Sequence, residues 1–325
     1  MDENLYEERT SIAKLNDAVI EIRNEMAKVI VGQEKMIDLL MIGLLCDGHI
    51  LIEGVPGVAK TLTAKLLAKI IHTSFSRLQF TPDLMPSDIL GTSVFHPGEA
   101  RFEFKKGPIF SNIILVDEIN RAPAKTQSAL FEVMEERQVS LDGYTHHMQF
   151  PFMVLATQNP IEQEGTYRLP EAQLDRFLFK IIVGYPTVDE EVNILMNQQS
   201  VTPEGLLNQI KPLLTPDQLK EYRNIVNEVI IDPELVKFIA NLVHATRKNN
   251  SLYLGASPRA SLALLKSAKA CAAIKGRDFV TPDDIIEMAP AVLRHRILLT
   301  PEKEMEGLNA DVVIEQIIKS LPVPR

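Results

Sequence analysis

The amino-acid sequence predicts an α/β fold, a parallel sheet flanked by helices with β-hairpin insertions, followed by an all-helical domain. Three observations carry that prediction. Short apolar runs alternate with helical stretches as far as residue 186, the order that builds a doubly wound parallel sheet. Two glycine-containing turns between alternating segments mark hairpins inserted into it. Beyond Tyr185-Pro186 no strand pattern recurs, and the helix starts share one signature. The chain has 325 residues, 46% hydrophobic and 24% charged. That is the size of about two domains and the balance of a globular protein.

Taken in order, residues 12–30 read as an amphipathic helix, with Ile12, Leu15, Val19, Ile22 and Met26 at spacings of three and four. A second apolar helix covers about 33–46. Residues 49–53 form a short buried strand, followed by a glycine-rich turn and a helix through Ile71. Pro97-Gly98 separates Ser93-Val94-Phe95 from the alternating Arg101-Phe102-Glu103-Phe104, the first hairpin. Residues 113–116 and 152–156 are apolar runs of the parallel-sheet kind, with a helix at 123–136 between them. The Asp142-Gly143 turn places a second hairpin within 138–150, and 177–183 is a further strand.

The first domain is expected to span 1–186 and the second 187–325. In the second, Thr202-Pro203-Glu204, Thr215-Pro216-Asp217, Asp232-Pro233-Glu234, Thr281-Pro282-Asp283 and Thr300-Pro301-Glu302 repeat one start: a capping residue, proline, then an acid. Proline suits the first helical position, and the acid beside it faces the positive end of the helix dipole.

Composition also excludes. The net charge of −9 argues against nucleic acid as a partner, since phosphate contacts need a basic face. No apolar run approaches the ~18 residues of a membrane span, and the acidic start does not read as a secretory signal. The expected compartment is the cytoplasm, where Cys46 and Cys271 are expected to be buried free thiols.

The chemistry concentrates at strand ends. Gly54-Val55-Pro56-Gly57-Val58-Ala59-Lys60-Thr61 lies between the strand at 49–53 and a helix opening at Leu62, the context of a phosphate-binding loop. There backbone N–H groups wrap β- and γ-phosphates, Lys60 neutralises them and Thr61 can ligate Mg²⁺. Ala59 stands where glycine is expected before the lysine. The next strand ends in Asp117-Glu118. Asp117 would hold Mg²⁺ through water and Glu118 would deprotonate the attacking water. As mere helix caps these two acids would be costly beside an apolar strand without a cation. Asn159, after the following strand, can hold the same water, but on local sequence it reads equally as a turn residue before Pro160.

Together Gly54–Thr61, Asp117-Glu118-Ile119-Asn120-Arg121-Ala122, Ala156-Thr157-Gln158-Asn159-Pro160 and Leu169-Pro170-Glu171-Ala172-Gln173-Leu174-Asp175-Arg176-Phe177 resemble the AAA+ ATPases, and within them the MoxR family. Alanine before the lysine is characteristic of that family, and the resemblance covers roughly 12–320. It implies a P-loop NTPase core with a helical lid, binding ATP and Mg²⁺. It implies that Arg176 is an arginine finger reaching the nucleotide of the adjacent subunit, that Val31, Gly32 and Gln33 contact adenine, and that Arg259 is a second sensor. It further implies a ring, a hexamer, that remodels client proteins, often ones with a von Willebrand factor A domain, including their maturation or metal insertion. A metal-chelatase motor, a DNA-translocating motor and a non-hydrolysing scaffold are the rival classes. Acidic charge counts against the DNA motor, and the presence of Glu118, Asn159 and Arg176 counts against the scaffold.

Arg259 also stands out on physical grounds. It follows Ser257-Pro258 where the sister helices carry Asp or Glu, and a cation there costs about 0.3–1 kcal/mol. The expectation is therefore that a phosphate compensates it, and that Arg259→Glu leaves the nucleotide-free chain as stable or more so. Asp175, beside Arg176, offers a surface ion pair as the alternative to a finger. His146-His147 is not expected to bind metal, because adjacent strand residues face opposite ways.

Overall fold

The computed structural model describes residues 2–55, 60–159, 167, 169–200 and 203–324. Five parallel strands form the central sheet: β1 (His49–Gly54), β2 (Phe75–Gln79), β3 (Ile113–Asp117), β4 (Met153–Gln158) and β5 (Phe177–Val183), in the order β2-β3-β4-β1-β5. Four of them are the apolar runs read from sequence. The fifth, β2, is a correction. Phe-Ser-Arg-Leu-Gln carries no apolar run, because only Leu78 of this edge strand is buried, whereas β5 at the opposite edge is covered and apolar.

Alternation sends side chains of each strand to two separate cores. Ile50, Ile52, Leu115 and Leu155 pack on one face with the helices Glu34–Leu45 and Lys60–Ile70. Leu51, Ile114, Val116 and Val154 pack on the other with Leu130 and Phe131 of the helix Ala124–Glu136. The first core continues without a break into the C-terminal helices. Asn16, on the long first helix Asp2–Ala27, donates to the Ile274 carbonyl at 2.6 Å, tying both parts together.

Both hairpins form, Gly91–His96 with Arg101–Lys106 and Gln138–Leu141 with Tyr144–His147. Gly91 sits at the neck of the first with φ +101°, where a Cβ would lie 2.2 Å from the Lys105 carbonyl, so only glycine fits. His146 stacks on Phe104 at 4.4 Å while His147 points away exposed, and no metal-binding cluster occurs among the described residues.

Beyond Val183 helices dominate. Thr215 accepts from the Gln218 N–H, Asp232 from Glu234 and Ser257 from Arg259, whereas Thr300 makes no side-chain cap bond. Thr202 lies outside the described residues. Contrary to the sequence reading, a small antiparallel pair occurs here, Leu252–Leu254 with Leu298–Leu299. Strands of three and two residues leave no periodic trace. Asp284 caps its own helix from a fully buried position, paired with Arg277 at 2.6 Å and Lys275 at 3.3 Å. Burial raises its pKa, but the hydrogen bonds from Arg277 and Thr281 outweigh that and hold it below the ordinary value. Cys46 and Cys271 are free thiols; contrary to expectation Cys46 is only half-buried, while Cys271 is buried, and loss of solvation pushes both up to about 12. No helix among the described residues is long and apolar enough to cross a membrane.

Candidate active site

The carboxyl ends of β1, β3 and β4 meet on one edge of the sheet, where open α/β sheets take ligands. Gly54 ends β1 and Val55 follows it. Lys60 opens the next helix, with Thr61 and Leu62 in its first turn, and its ammonium donates to the Gly54 carbonyl at 2.6 Å. Pro56, Gly57, Val58 and Ala59 lie outside the described residues. β4 separates β1 from β3. At ~4.8 Å per strand the carboxyl ends of β1 and β3 stand about 10 Å apart, room for a phosphate and a cation.

Asp117 is the last residue of β3. Its carboxylate receives the Arg77 Nε at 2.6 Å and the Thr157 hydroxyl at 3.2 Å. Glu118 turns sharply out of the strand at φ +56°, which costs about 1 kcal/mol for a residue other than glycine. The turn is held by its N–H, which donates to Thr157 Oγ1 at 3.0 Å. Its carboxylate lies against Gln79 Nε2 at 2.7 Å and Arg121 Nε at 3.2 Å. Asn159 follows directly after β4, at the same edge. A hydroxyl in the first turn of the loop helix and a strand-end carboxylate are hard oxygen donors suited to Mg²⁺, and the guanidinium against Asp117 shows that the position attracts a cation.

Val31, Gly32 and Gln33 precede the helix Glu34–Leu45. Gly32 has φ +73°, and a Cβ there would meet Glu190 Oε1 at 2.0 Å. Gly32 and Gln33 help line a cavity of about 260 Å³ with Ile181, Pro290 and Arg294, between the sheet and the C-terminal helices. Arg294 is fixed there by Asp311 and by the Lys180 carbonyl, each at 2.9 Å.

Arg176 and Arg259 lie elsewhere. Arg176 immediately precedes β5, whose first residue pairs with His49, the first residue of β1. Both arginines therefore lie at the amino edge of the sheet. Six strand residues, five steps of ~3.3 Å, put the carboxyl end of β1 in the same chain about 17 Å away. Here Glu135, at the end of the helix Ala124–Glu136, receives Arg259 Nη2 at 3.0 Å and Arg176 Nε at 3.7 Å. This corrects two sequence expectations. The cation at the helix start already has an anion, Glu135, and Asp175 pairs with Arg296 at 2.7 Å instead of with Arg176. Ser257 closes the arrangement, capping its helix while donating to Asp175 at 2.8 Å. A cavity of about 300 Å³ opens beside them, lined by Arg137, Arg176, Arg259, Lys266 and Arg296 over His49.

Sequence reading missed Arg77, Gln79, Arg121, Thr157 and Glu135. Arg77 and Gln79 share one side of β2, a period-two signal readable only once that strand is recognised. Nothing local distinguishes Glu135.

Comparison with known proteins adds the decisive observation. Residues 49–179 match the model of the ATPase family associated with various cellular activities (AAA), and 244–317 match its AAA lid domain. The chain is 46% identical over 310 residues to chaperone MoxR1 of Mycobacterium tuberculosis, covering 93% of this chain and 81% of that one. The chain belongs to the MoxR family of AAA+ ATPases. This family member is also 46% identical over 297 residues to the Bacillus subtilis protein YeaC, covering 91% of this chain and 92% of YeaC. A solved structure from Cytophaga hutchinsonii, assigned as an ATPase, superposes with a TM-score of 0.91 at 44% identity over 99% of both chains. ATP hydrolysis is thus the activity of this AAA+ core and lid.

Proposed function

We propose that this MoxR-family ATPase works as a cytoplasmic ring, a hexamer, in which each nucleotide lies between a core of residues 1–186 and a lid of 187–325 and is completed by the next subunit. Lys60 and the backbone of Gly54–Leu62 hold the phosphates, and Val31, Gly32 and Gln33 lie against adenine in the cavity beneath the lid. Mg²⁺, held by Thr61 and through water by Asp117, would supply charge neutralisation at the phosphates. Glu118 takes the proton of the attacking water, which Asn159 orients. Gln79 and Arg121 must release the Glu118 carboxylate for that role.

The single observation that carries the assembled site is the separation of the two sheet edges. Arg176 and Arg259 share one carboxylate about 17 Å from the carboxyl end of β1 in their own chain, so they serve as finger and sensor only on a neighbour's γ-phosphate. An arginine supplied in this way is worth about 10³–10⁵ in rate in other NTPases. The motion that hydrolysis drives remodels client proteins, among them proteins with a von Willebrand factor A domain, including their maturation by metal insertion.

Mixing tests the trans arrangement. Lys60→Ala subunits keep both arginines and Arg176→Ala subunits keep the loop, so each alone is inactive while mixed rings recover turnover. Verified mixed assembly without recovery would refute it.

A further inference from the structure

Glu135 has no part in the chemistry above, yet among the described residues it is the one that forms ion pairs with both arginines that would cross to the neighbour. Its two oxygens divide between them, Oε1 to Arg259 and Oε2 to Arg176. The three side chains come from three places: the end of the helix Ala124–Glu136, the approach to β5, and the first turn of the lid helix Pro258–Ile274. A single carboxylate thus bridges two guanidiniums, by a hydrogen bond at 3.0 Å to Arg259 and a looser ion pair at 3.7 Å to Arg176, whose Nη1 also donates to the Phe131 carbonyl.

We propose that Glu135 is a positioning residue that stands in for the neighbour's γ-phosphate: it holds Arg176 and Arg259 side by side in the unassembled chain and yields them when an ATP-loaded subunit docks. This rests on the reading that both arginines act across the subunit interface. Exposure supports displacement. Arg259 is 51% exposed and Glu135 39%, so the bridge is screened by water and weak. The adjacent Arg296–Asp175 pair, at 3% and 16%, is sealed and permanent. Phosphate carries more charge and more acceptor oxygens than a carboxylate, so it takes both forks from Glu135. Without that phosphate, Glu135 keeps two like charges from repelling each other and keeps the lid aligned with the core. Glu135 therefore competes with assembly, and ATP on the neighbour lifts the competition.

The test is assembly measured by sedimentation velocity with Mg-ATP, in a Glu118→Gln background so that nucleotide persists. Glu135→Gln keeps size and polarity but removes the competing charge. It should lower the concentration for half-assembly by roughly three- to tenfold, the worth of two exposed ion pairs. Without nucleotide it should leave assembly unchanged, which a merely structural role would not do. Glu135→Asp, which keeps the charge, should stay close to the parent. In an Arg176→Ala, Arg259→Ala background the effect of Glu135→Gln should vanish. If Glu135→Gln leaves half-assembly unchanged or raises it while the arginine variants still weaken assembly, this inference is overturned and the trans reading survives. If the arginine variants alter neither assembly in this background nor turnover in chains that keep Glu118, the trans reading itself fails.

Discussion

Acid should unfold this protein through His49, the first residue of β1. The ring is buried, packed edge-on to Phe152 at 5.5 Å between centroids. Its Nδ1 accepts the Val154 N–H at 3.0 Å, so Nε2 carries the proton and donates to the Met134 carbonyl at 3.1 Å. Both nitrogens are satisfied only in the neutral form, since a proton on Nδ1 would face the N–H it now accepts. Burial first, and then the Arg137 charge, push the pKa from 6.5 to about 3. The sign follows from linkage. Between those values the unfolded chain binds a proton that the folded chain refuses, so stability is complete above pH 6.5 and is lost as pH falls towards 3. Each pH unit costs ~1.4 kcal/mol, and the whole interval on the order of 5 kcal/mol, comparable to a domain's entire stability. His295 adds to the effect, as burial and Arg296 hold it well below the usual value. Urea midpoints at pH 7.5, 6.5, 5.5 and 4.5 would read the slope. His49→Gln should lower stability at neutral pH yet give a shallower slope below 6.5. An unchanged slope in that variant would refute the assignment to His49.

Two further outcomes follow from the same contacts. Glu118→Gln should bind a fluorescent ATP analogue as the parent does while turnover falls by at least ~10², read by phosphate release. Asp284→Ala removes a buried carboxylate from Arg277 and Lys275, which stay partly exposed, Lys275 keeping Glu287 at 2.6 Å, and should cost about 1–3 kcal/mol in chemical denaturation.

What the sequence reveals depends on how local the cause is. The phosphate loop, Asp117, Glu118 and Asn159 are legible because strand, turn and helix follow one another along the chain, and the carboxyl end of each strand fixes where its polar residue must stand. β2 is invisible because it buries a single side chain, Leu78, whereas β5 at the opposite edge is mostly buried and reads clearly, and Arg77 and Gln79 disappear with β2. Nothing local marks Thr157, since its hydroxyl matters only once β3 and β4 lie side by side. Glu135 lies furthest from prediction. Its partners are 41 and 124 positions further along the chain, and nothing within its helix calls for them.

Arg259 shows how a sound local argument can leave out a partner, since in the nucleotide-free chain Glu135 already pairs with it. A cation at the positive end of a helix does cost about 0.3–1 kcal/mol, and the sister helices avoid it. On that basis alone Arg259→Glu should stabilise the nucleotide-free chain. The structure supplies a second term of the same size and opposite sign. Glu135 lies 3.0 Å away, so the substitution loses an exposed ion pair and sets two carboxylates together, an effect of up to about 1 kcal/mol. The terms offset each other, and Arg259→Glu alone should change the urea midpoint little. In a Glu135→Gln background only the helix term remains, and the same substitution should then stabilise by about 0.3–1 kcal/mol. The difference between the two backgrounds is the coupling energy of the pair, on the order of 1 kcal/mol. Strict additivity would mean that Glu135 does not compensate Arg259, and the cation at this helix start would again need a phosphate to explain it.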